Sequence, residues 1–326
     1  MDRRQFDALI AQWGEAVTPT GPPRRLQAGY SGMAGWIWPT ASGRRVAKGH
    51  LLERVSPQRL DWVQRLCQYV HREGLAWLPY PLADPTGRTA SIHGDRIWEV
   101  QTAIAGSADW CGRPGTTHIE TVTRALAVFH RQVRNYGGPY PASEPLPPCL
   151  KIRAERLRWY GQRVSDMRTE LLRRSGLEPD ALRLSLEGLR KFESESSACL
   201  ADLASVEDVR VPLGPCLRDV RPPDVFFQNE ELAGFVDVMA ADIDFPLVDL
   251  ARFWSEVGVP AVEWPDWFDV YRSVHPVAVG AARLLQPLGR ATRLVSIMNW
   301  VRWGVLHPRQ GVGRQQVRAR LQGLLE

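Results

Sequence analysis

Apolar residues near the start of the chain recur every three or four positions. This spacing predicts an amphipathic helix over residues 1–14, with an apolar face formed by Phe6, Leu9, Ile10 and Trp13. Gly21 and two following prolines end the helix. Short apolar runs broken by glycine then extend from Leu26 to Val46, a pattern typical of strands joined by a loop and a turn.

Helical spacing returns after Ser56, which is an N-cap residue followed by proline at the first helical position. A helix is predicted from there to Glu73, and Gly74 stops it. A further strand is predicted over 97–102. Residues 20–105 therefore indicate an antiparallel sheet with one helix.

The rest of the chain is mostly helical in pattern. Helices are predicted over 116–135, 148–175 and 178–203, and again from Pro246, Trp264, Gly289 and Val312. We therefore expect two parts, a sheet-containing part over 1–105 and a helical part over 106–326.

One segment of the helical part carries a group of acids. Apolar runs at 225–227 and 232–236 flank four polar residues, which predicts a β-hairpin. Asp224 precedes the first strand, Asp237 follows the second, and Asp219 lies five residues before Asp224. Carboxylates gathered at one end of a hairpin repel one another unless a cation neutralises them. The pattern therefore favours a magnesium site.

This segment resembles the catalytic loop of the protein-kinase-like superfamily, in which Asp-x-x-x-x-Asn precedes a hairpin that ends in a magnesium-binding Asp. It is most similar to the aminoglycoside phosphotransferase and choline kinase branch, where a further Asp opens a helix twelve positions later. Asp249 stands at that spacing from Asp237. The resemblance implies an α+β, two-lobed protein-kinase-like fold, with a small antiparallel-sheet lobe and a larger helical lobe in which the catalytic hairpin is embedded.

The resemblance also assigns roles in transfer of the γ-phosphate of ATP to a hydroxyl or amine of a small molecule. It implies that Asp219 is the general base and that Asp224 and Asp237 bind Mg²⁺. Arg221 would stabilise the transferred phosphoryl group, and Asp249 would support the loop.

The nucleotide-binding residues are expected in the first part. Lys48 would contact the α- and β-phosphates, and the backbone of Glu99 and Val100 would meet the adenine. A phosphate-covering loop is expected over 29–35, with contributions from Gly29, Ser31, Gly32 and Gly35. For the carboxylate partner of Lys48, Asp61 is the candidate, and Gln64 is nearer the usual spacing.

Three positions depart from the family pattern. Leu217 replaces the loop histidine, Asp224 replaces the metal-binding Asn, and Met239 replaces the glycine expected two positions after the metal-binding Asp. These departures leave open a second interpretation, a nucleotide-binding pseudokinase that acts as a scaffold or regulator.

Composition adds few constraints. The hydrophobic fraction of 44% is ordinary for a globular protein, and the five scattered cysteines form no C-x-x-C pair, so neither a zinc site nor a disulfide framework is expected. Without a long apolar stretch or a signal-peptide core, we expect a cytoplasmic protein with no membrane partner. Net charge is +5, and the stretch 272–325 holds nine arginines and no acid. A polyanion-binding face is one interpretation of that stretch and a solvated set of helix faces is the other; we expect no nucleic-acid partner.

Overall fold

The computed structural model describes residues 3–26, 32–112, 114–137, 147–309 and 313–326. The chain forms two compact units. The first contains Met1–Ala108 and Asp224–Met239, and the second contains Asp109–Pro223 and Ala240–Glu326. Within the described residues, no helix is both long and apolar enough to cross a bilayer. All five cysteines are unbonded, and four of them are buried, the exception being Cys111.

A five-stranded antiparallel sheet forms the centre of the first unit. Its strands are β1 (Arg24–Arg25), β2 (Ala34–Thr40), β3 (Gly43–Leu51), β4 (Ala90–His93) and β5 (Arg96–Thr102). Their order in the sheet is β1-β2-β3-β5-β4. Helix α1 (Arg3–Ile10) and the 3₁₀ turns Ala11–Trp13 and Glu15–Val17 precede the sheet, and helix α2 (Pro57–Arg72) lies between β3 and β4 in the sequence.

One face of the sheet carries large aromatic side chains. Phe6 of α1 lies 4.8 Å from the ring of Trp36 and 5.1 Å from that of Trp38. Trp38 Nε1 donates to Val17 O at 2.7 Å, so its one polar group is satisfied although the ring is buried. Burial of a side chain such as Phe6 contributes about 1.5–3 kcal/mol, which explains why the amphipathic helix docks here.

The opposite face of the sheet is polar at its centre and faces α2. Side chains alternate between the two faces of a strand, so Lys48 and His50 of β3 share a face with Glu99 of β5. Ser56 caps α2 by accepting from Arg59 N, as the sequence predicts.

The hairpin is formed by β7 (Val225–Gln228) and β8 (Glu231–Phe235), joined by Asn229 and Glu230 with φ of +51° and +66°. Positive φ at both turn residues is typical of a type I′ turn, the two-residue turn whose twist matches that of the flanking strands. The hairpin belongs to the first unit, whereas the sequence placed it in a helical part beginning at residue 106. The reason is backbone pairing between segments distant in sequence, since Ser107 and Phe227 exchange two hydrogen bonds of 3.0 and 2.9 Å.

The second unit is helical. Its helices are α3 (Thr116–Val133), α4 (Pro148–Gly161), α5 (Val164–Arg173), α6 (Pro179–Ala204), α7 (Leu247–Val257), α8 (Trp264–Arg272), α9 (Leu285–Trp300) and α10 (Arg314–Leu325). Four of them, α4, α6, α7 and α10, pack against α9.

Two local features of this unit differ from prediction. The helix predicted over 148–175 is divided at Gly161, because Arg163 has φ of −121°, outside the helical region. The sequence also missed two short strands, β6 (Gly214–Cys216) and β9 (Asp242–Asp244), which pair antiparallel. Three-residue strands carry too little alternation to be recognised from sequence.

We expect Gly106→Ala to destabilise the protein. Gly106 has φ of +77°, and a Cβ there would lie 2.0 Å from Phe227 O. The hairpin contact must shift, in addition to the backbone strain of about 1–3 kcal/mol. Chemical denaturation measures the loss. The matched control is Gly161→Ala, where a Cβ meets nothing within 4 Å and a helix-favouring residue should be neutral or stabilising by ~0.5–1 kcal/mol. Equal stability of the two variants would contradict this account of the contact.

Candidate functional site

Lys48 contacts the open end of the hairpin. Its Nζ donates to Val236 O at 2.7 Å, across 188 positions of sequence. Val236 N in turn donates to Asp224 O at 2.9 Å. Val236 therefore contacts Lys48 through its carbonyl and Asp224 through its N–H, and Asp237 follows it directly in the sequence. Three predicted site residues of the first unit, Lys48, Asp224 and Asp237, meet at Val236.

The two carboxylates stand where the hairpin pattern predicts them. Val225 pairs with Phe235, so Asp224 and Asp237 leave the paired strands at the same end. Asp237 is exposed and Asp224 is half-buried. Carboxylate oxygens at an accessible strand end are the ligand type that Mg²⁺ prefers.

The predicted phosphate-covering loop is described only in part. Gly29 and Ser31 lie outside the described residues. Gly35 is in β2 and is the register partner of Lys48. Gly32 precedes the strand, and its carbonyl accepts from Arg96 Nη1 at 2.8 Å.

Glu99 and Val100, whose backbone is predicted to meet adenine, have peptide groups that take part in strand pairing. Both residues lie inside β5, where Glu99 is the register partner of Lys48 and of Ala90. Val100 O already accepts from Leu82 N at 2.8 Å. Their peptide groups belong to the sheet, and the segment that follows β5 begins only after Thr102.

Asp61, the candidate partner of Lys48 on α2, is paired with another residue. Asp61 is exposed and forms an ion pair with Arg65 on its own helix. Gln64 is buried and donates to Glu99 Oε2 at 2.9 Å. The α2 residue at the expected spacing thus contacts an acid of the sheet and carries no charge itself.

In the second unit, Asp249 organises the loop that precedes Asp219. Its carboxylate is fully buried in the first turn of α7 and accepts from Leu217 N at 2.7 Å and Arg218 N at 2.5 Å. Arg218 has φ of +65°, an uncommon conformation for a residue with a side chain. Two hydrogen bonds to a buried charge hold that conformation in place.

His130 of α3 completes the support of Asp249. His130 Nε2 donates to Asp249 Oδ2 at 3.0 Å, and Nδ1 lies 2.9 Å from the hydroxyl of Tyr271. Burial raises the pKa of Tyr271, so the hydroxyl keeps its proton and can donate to Nδ1. Sequence reasoning missed His130 and Tyr271. At Leu217, where the family has histidine, the backbone N–H still holds the loop and the side chain is buried.

Asp219 lies beside two arginines. Arg252 Nε and Nη2 are each 2.9 Å from Asp219 Oδ1, and Arg221 Nε is 3.6 Å from Oδ2. Burial by itself raises the pKa of Asp219, but the charges of Arg252 and Arg221 and the hydrogen bond from Arg252 lower it below its usual value. The carboxylate is therefore ionised at neutral pH and able to accept a proton.

Arg252 is itself held from behind. Its Nη1 donates to Ser296 Oγ at 2.9 Å and to Glu256 Oε1 at 2.8 Å, and Glu256, whose side chain is only 2% exposed, also pairs with Arg320 of α10. We call Arg320, Glu256, Arg252 and Asp219 the charge chain. The sequence offered one signal for it, the i,i+4 spacing of Arg252 and Glu256 on the helix that Asp249 opens.

Acids from other segments neutralise much of the acid-free stretch 272–325. Ion pairs join Arg290 to Asp202, Arg318 to Glu178 and Asp180, and Arg283 to Asp208. This pairing favours solvated helix faces over a polyanion-binding face, because acids compensate part of the arginine charge.

Comparison with known proteins identifies the class of this fold and site. The model of the phosphotransferase enzyme family matches residues 23–291, which is most of the chain. The chain belongs to this family, and the predicted relationship to the aminoglycoside phosphotransferase and choline kinase branch is confirmed. A search of the curated proteins finds no match.

Solved structures confirm the predicted protein-kinase-like α+β fold. The chain is similar to a spectinomycin phosphotransferase solved with ADP and spectinomycin, with 12% identity, a TM-score of 0.68 and coverage of 99% of this chain and 94% of that one. It is also similar to a microcompartment-associated aminopropanol kinase (13% identity, TM-score 0.63, coverage 99% and 95%). A choline kinase from Streptococcus pneumoniae gives 13% identity, a TM-score of 0.57 and coverage of 98% and 99%.

We expect Asp249→Asn to lower stability by about 1–3 kcal/mol, because an amide NH₂ would face a backbone N–H in a buried site. Equilibrium denaturation measures the change. Asp166→Asn, at the exposed first turn of α5, is the control and should cost less than about 1 kcal/mol. A similar small effect at both positions would show that Asp249 does not hold the loop.

Proposed function

We propose that this phosphotransferase moves the γ-phosphoryl group of ATP to a hydroxyl or amine of a small molecule, with Asp219 as general base. The observation that carries the proposal is the contact of Lys48 Nζ with Val236 O, because it joins a cation from the sheet to the hairpin end that bears Asp224 and Asp237. A cation beside two carboxylates is suited to a nucleotide bound with a metal ion.

Lys48 would contact the α- and β-phosphates of ATP. A lysine ammonium is compact and its three donors rotate, so it can turn from a backbone carbonyl to phosphate oxygens. We propose that the backbone of residues 103–106 contacts adenine in place of Glu99 and Val100. This segment follows Thr102, the last residue of β5, so its peptide groups lie beyond the strand.

The hairpin carboxylates fit a divalent metal by their donor chemistry. Asp224 and Asp237 would hold Mg²⁺, which when bound neutralises phosphate charge and orients the triphosphate. Asp224 in place of Asn keeps an oxygen ligand and adds one negative charge.

Asp219 would take the proton of the acceptor group as that group attacks the γ-phosphorus. The bond from phosphorus to the acceptor forms, the bond to the departing ADP oxygen breaks, and the proton passes to the carboxylate. The charge chain supports this role, because Arg252 keeps Asp219 ionised and oriented. Arg221, beside Asp219, would stabilise charge on the phosphoryl oxygens.

The three departures from the family pattern do not remove any of these groups. The Leu217 backbone is held by Asp249. Met239 does not have a positive φ, so its backbone conformation does not require glycine. These observations favour an enzyme over a pseudokinase.

For the acceptor, we propose a small molecule that is not a polycation. Three acids that contact Arg218 or Arg252 are already paired: Asp242 and Asp244 with Arg218, and Glu256 with Arg252 and Arg320. An acceptor with several positive charges would have to compete with these arginines.

Mg-ATP should stabilise the wild-type protein by about 2.7 kcal/mol at one hundred times its dissociation constant. Lys48→Ala should weaken this effect and Asp237→Asn should remove its dependence on magnesium. Thermal unfolding across a nucleotide titration, with and without Mg²⁺, measures both. Lys151→Ala is the matched control and should behave like wild type. An unchanged melting temperature of the wild type at saturating nucleotide would contradict ATP binding.

The base assignment predicts a pH effect. Arg252 lowers the pKa of Asp219, so Arg252→Gln should raise that pKa. Since a base must be ionised, the acid side of the kcat/KM profile should move to higher pH. Arg252→Lys, which keeps the charge, should lie closer to wild type.

The measurement is ADP release over the acid pH range, with an acceptor identified from a metabolite panel. Asp219→Asn should reduce transfer by roughly 10²–10⁴-fold at every pH while leaving nucleotide binding nearly intact. Arg124→Gln, on the exposed face of α3, should leave the profile in place. Loss of nucleotide binding in folded Asp219→Asn would assign this residue to metal binding or structure instead.

A further inference from the structure

The sheet of the first unit contains a buried acid that the proposed chemistry has not used. Glu99 is 4% exposed, in the middle of β5. Its Oε1 lies 2.9 Å from His50 Nε2, and its Oε2 accepts from Gln64 Nε2 at 2.9 Å. A buried carboxylate is costly unless cations and hydrogen-bond donors surround it.

Lys48 supplies a cation to this acid. Lys48 and Glu99 are direct register partners on neighbouring strands, so their side chains leave the sheet on the same face. Both line one small cavity, together with His50, Gln64 and Cys67. Burial alone raises the pKa of Glu99, but the hydrogen bond and charge of His50, the charge of Lys48 and the hydrogen bond from Gln64 together lower it. Glu99 therefore remains ionised.

Helix α2 offers no acid that could replace Glu99. The two acids of the segment 57–73, Asp61 and Glu73, are both exposed. Gln64 is the α2 residue that reaches the buried cluster, where it also accepts from Thr89 Oγ1 at 2.6 Å. Helix α2 therefore contributes an amide that supports Glu99.

We propose that Glu99 is the positioning carboxylate of Lys48, and that in this chain the acid resides on the sheet instead of on α2. The inference rests on the proposed function in one respect, that Lys48 contacts nucleotide phosphates. The Lys48–Glu99 spacing is set by the β3–β5 register, so it does not depend on the position of α2.

The test compares three variants in the full-length protein. The first variant, Glu99→Gln, removes the negative charge of the buried carboxylate. The second combines Glu99→Gln with Gln64→Glu, which exchanges the amide and the carboxylate and keeps one donor facing one acceptor. The third, Asp61→Asn, is the control. We expect Glu99→Gln to weaken Mg-ATP affinity or lower kcat/KM by roughly 10- to 100-fold, the scale of a misplaced binding group. The exchanged variant should recover much of the loss, and Asp61→Asn should match wild type.

A purely structural role predicts a different result. In that case Glu99→Gln would lower the melting temperature with no change in nucleotide affinity or kcat/KM of the folded fraction, and this result would overturn the proposal. Loss of affinity in Asp61→Asn, with none in Glu99→Gln, would also overturn it.

A second readout needs no nucleotide. The chain has only three lysines, so ¹³C-methylated lysines give three resonances, and Lys48→Arg assigns one of them. The Lys48 resonance should move in Glu99→Gln and stay in Asp61→Asn. If wild type binds no nucleotide but the resonance moves, the proposed function fails and the pairing stands. A Lys48 resonance unaffected by Glu99→Gln overturns the pairing, whatever the nucleotide result.

Discussion

The carboxylate of Asp249 determines how the loop before Asp219 is held. It accepts two backbone N–H groups and one imidazole N–H in a site closed to water, where each of these bonds is stronger than it would be at the surface. The left-handed backbone of Arg218 persists because the buried charge compensates its strain. Asp219 follows directly, and its direction depends on this anchor. The loop is therefore ordered by a residue more than thirty positions further along the chain.

A second theme is that buried acids occur with fixed cations in both units. Glu256 lies between Arg252 and Arg320, and Glu99 lies beside Lys48 and His50. Glu256 holds Arg252, which in turn contacts Asp219, and Glu99 is the proposed positioning group of Lys48. The proposed chemistry requires both Asp219 and Lys48. Groups fixed in this way need little rearrangement when charge develops on a bound phosphate.

Sequence reasoning succeeded where the signal is local. The hairpin, its two flanking aspartates and Lys48 follow from short patterns, and the fold follows from the resemblance they carry. It failed where long-range pairing decides. The strand register places Glu99 in the sheet interior, and Arg252 reaches Asp219 only after α7 has packed, so neither contact can be deduced from spacing along the chain. The same holds for His130, which comes from a helix 119 positions before Asp249.

The charge chain has a consequence for how the protein can change through mutation. Its members come from α7, from α10 and from the loop before the hairpin. Each carboxylate or guanidinium group has a neighbour of opposite charge. Replacing one member leaves a buried neighbour uncompensated, so the effects of substitutions in this group should not add. Drift at Arg320, far from the loop in sequence, is therefore constrained by the same electrostatics as Asp219. Substitutions that change acceptor preference are therefore less constrained at positions outside the charge chain than at positions within it.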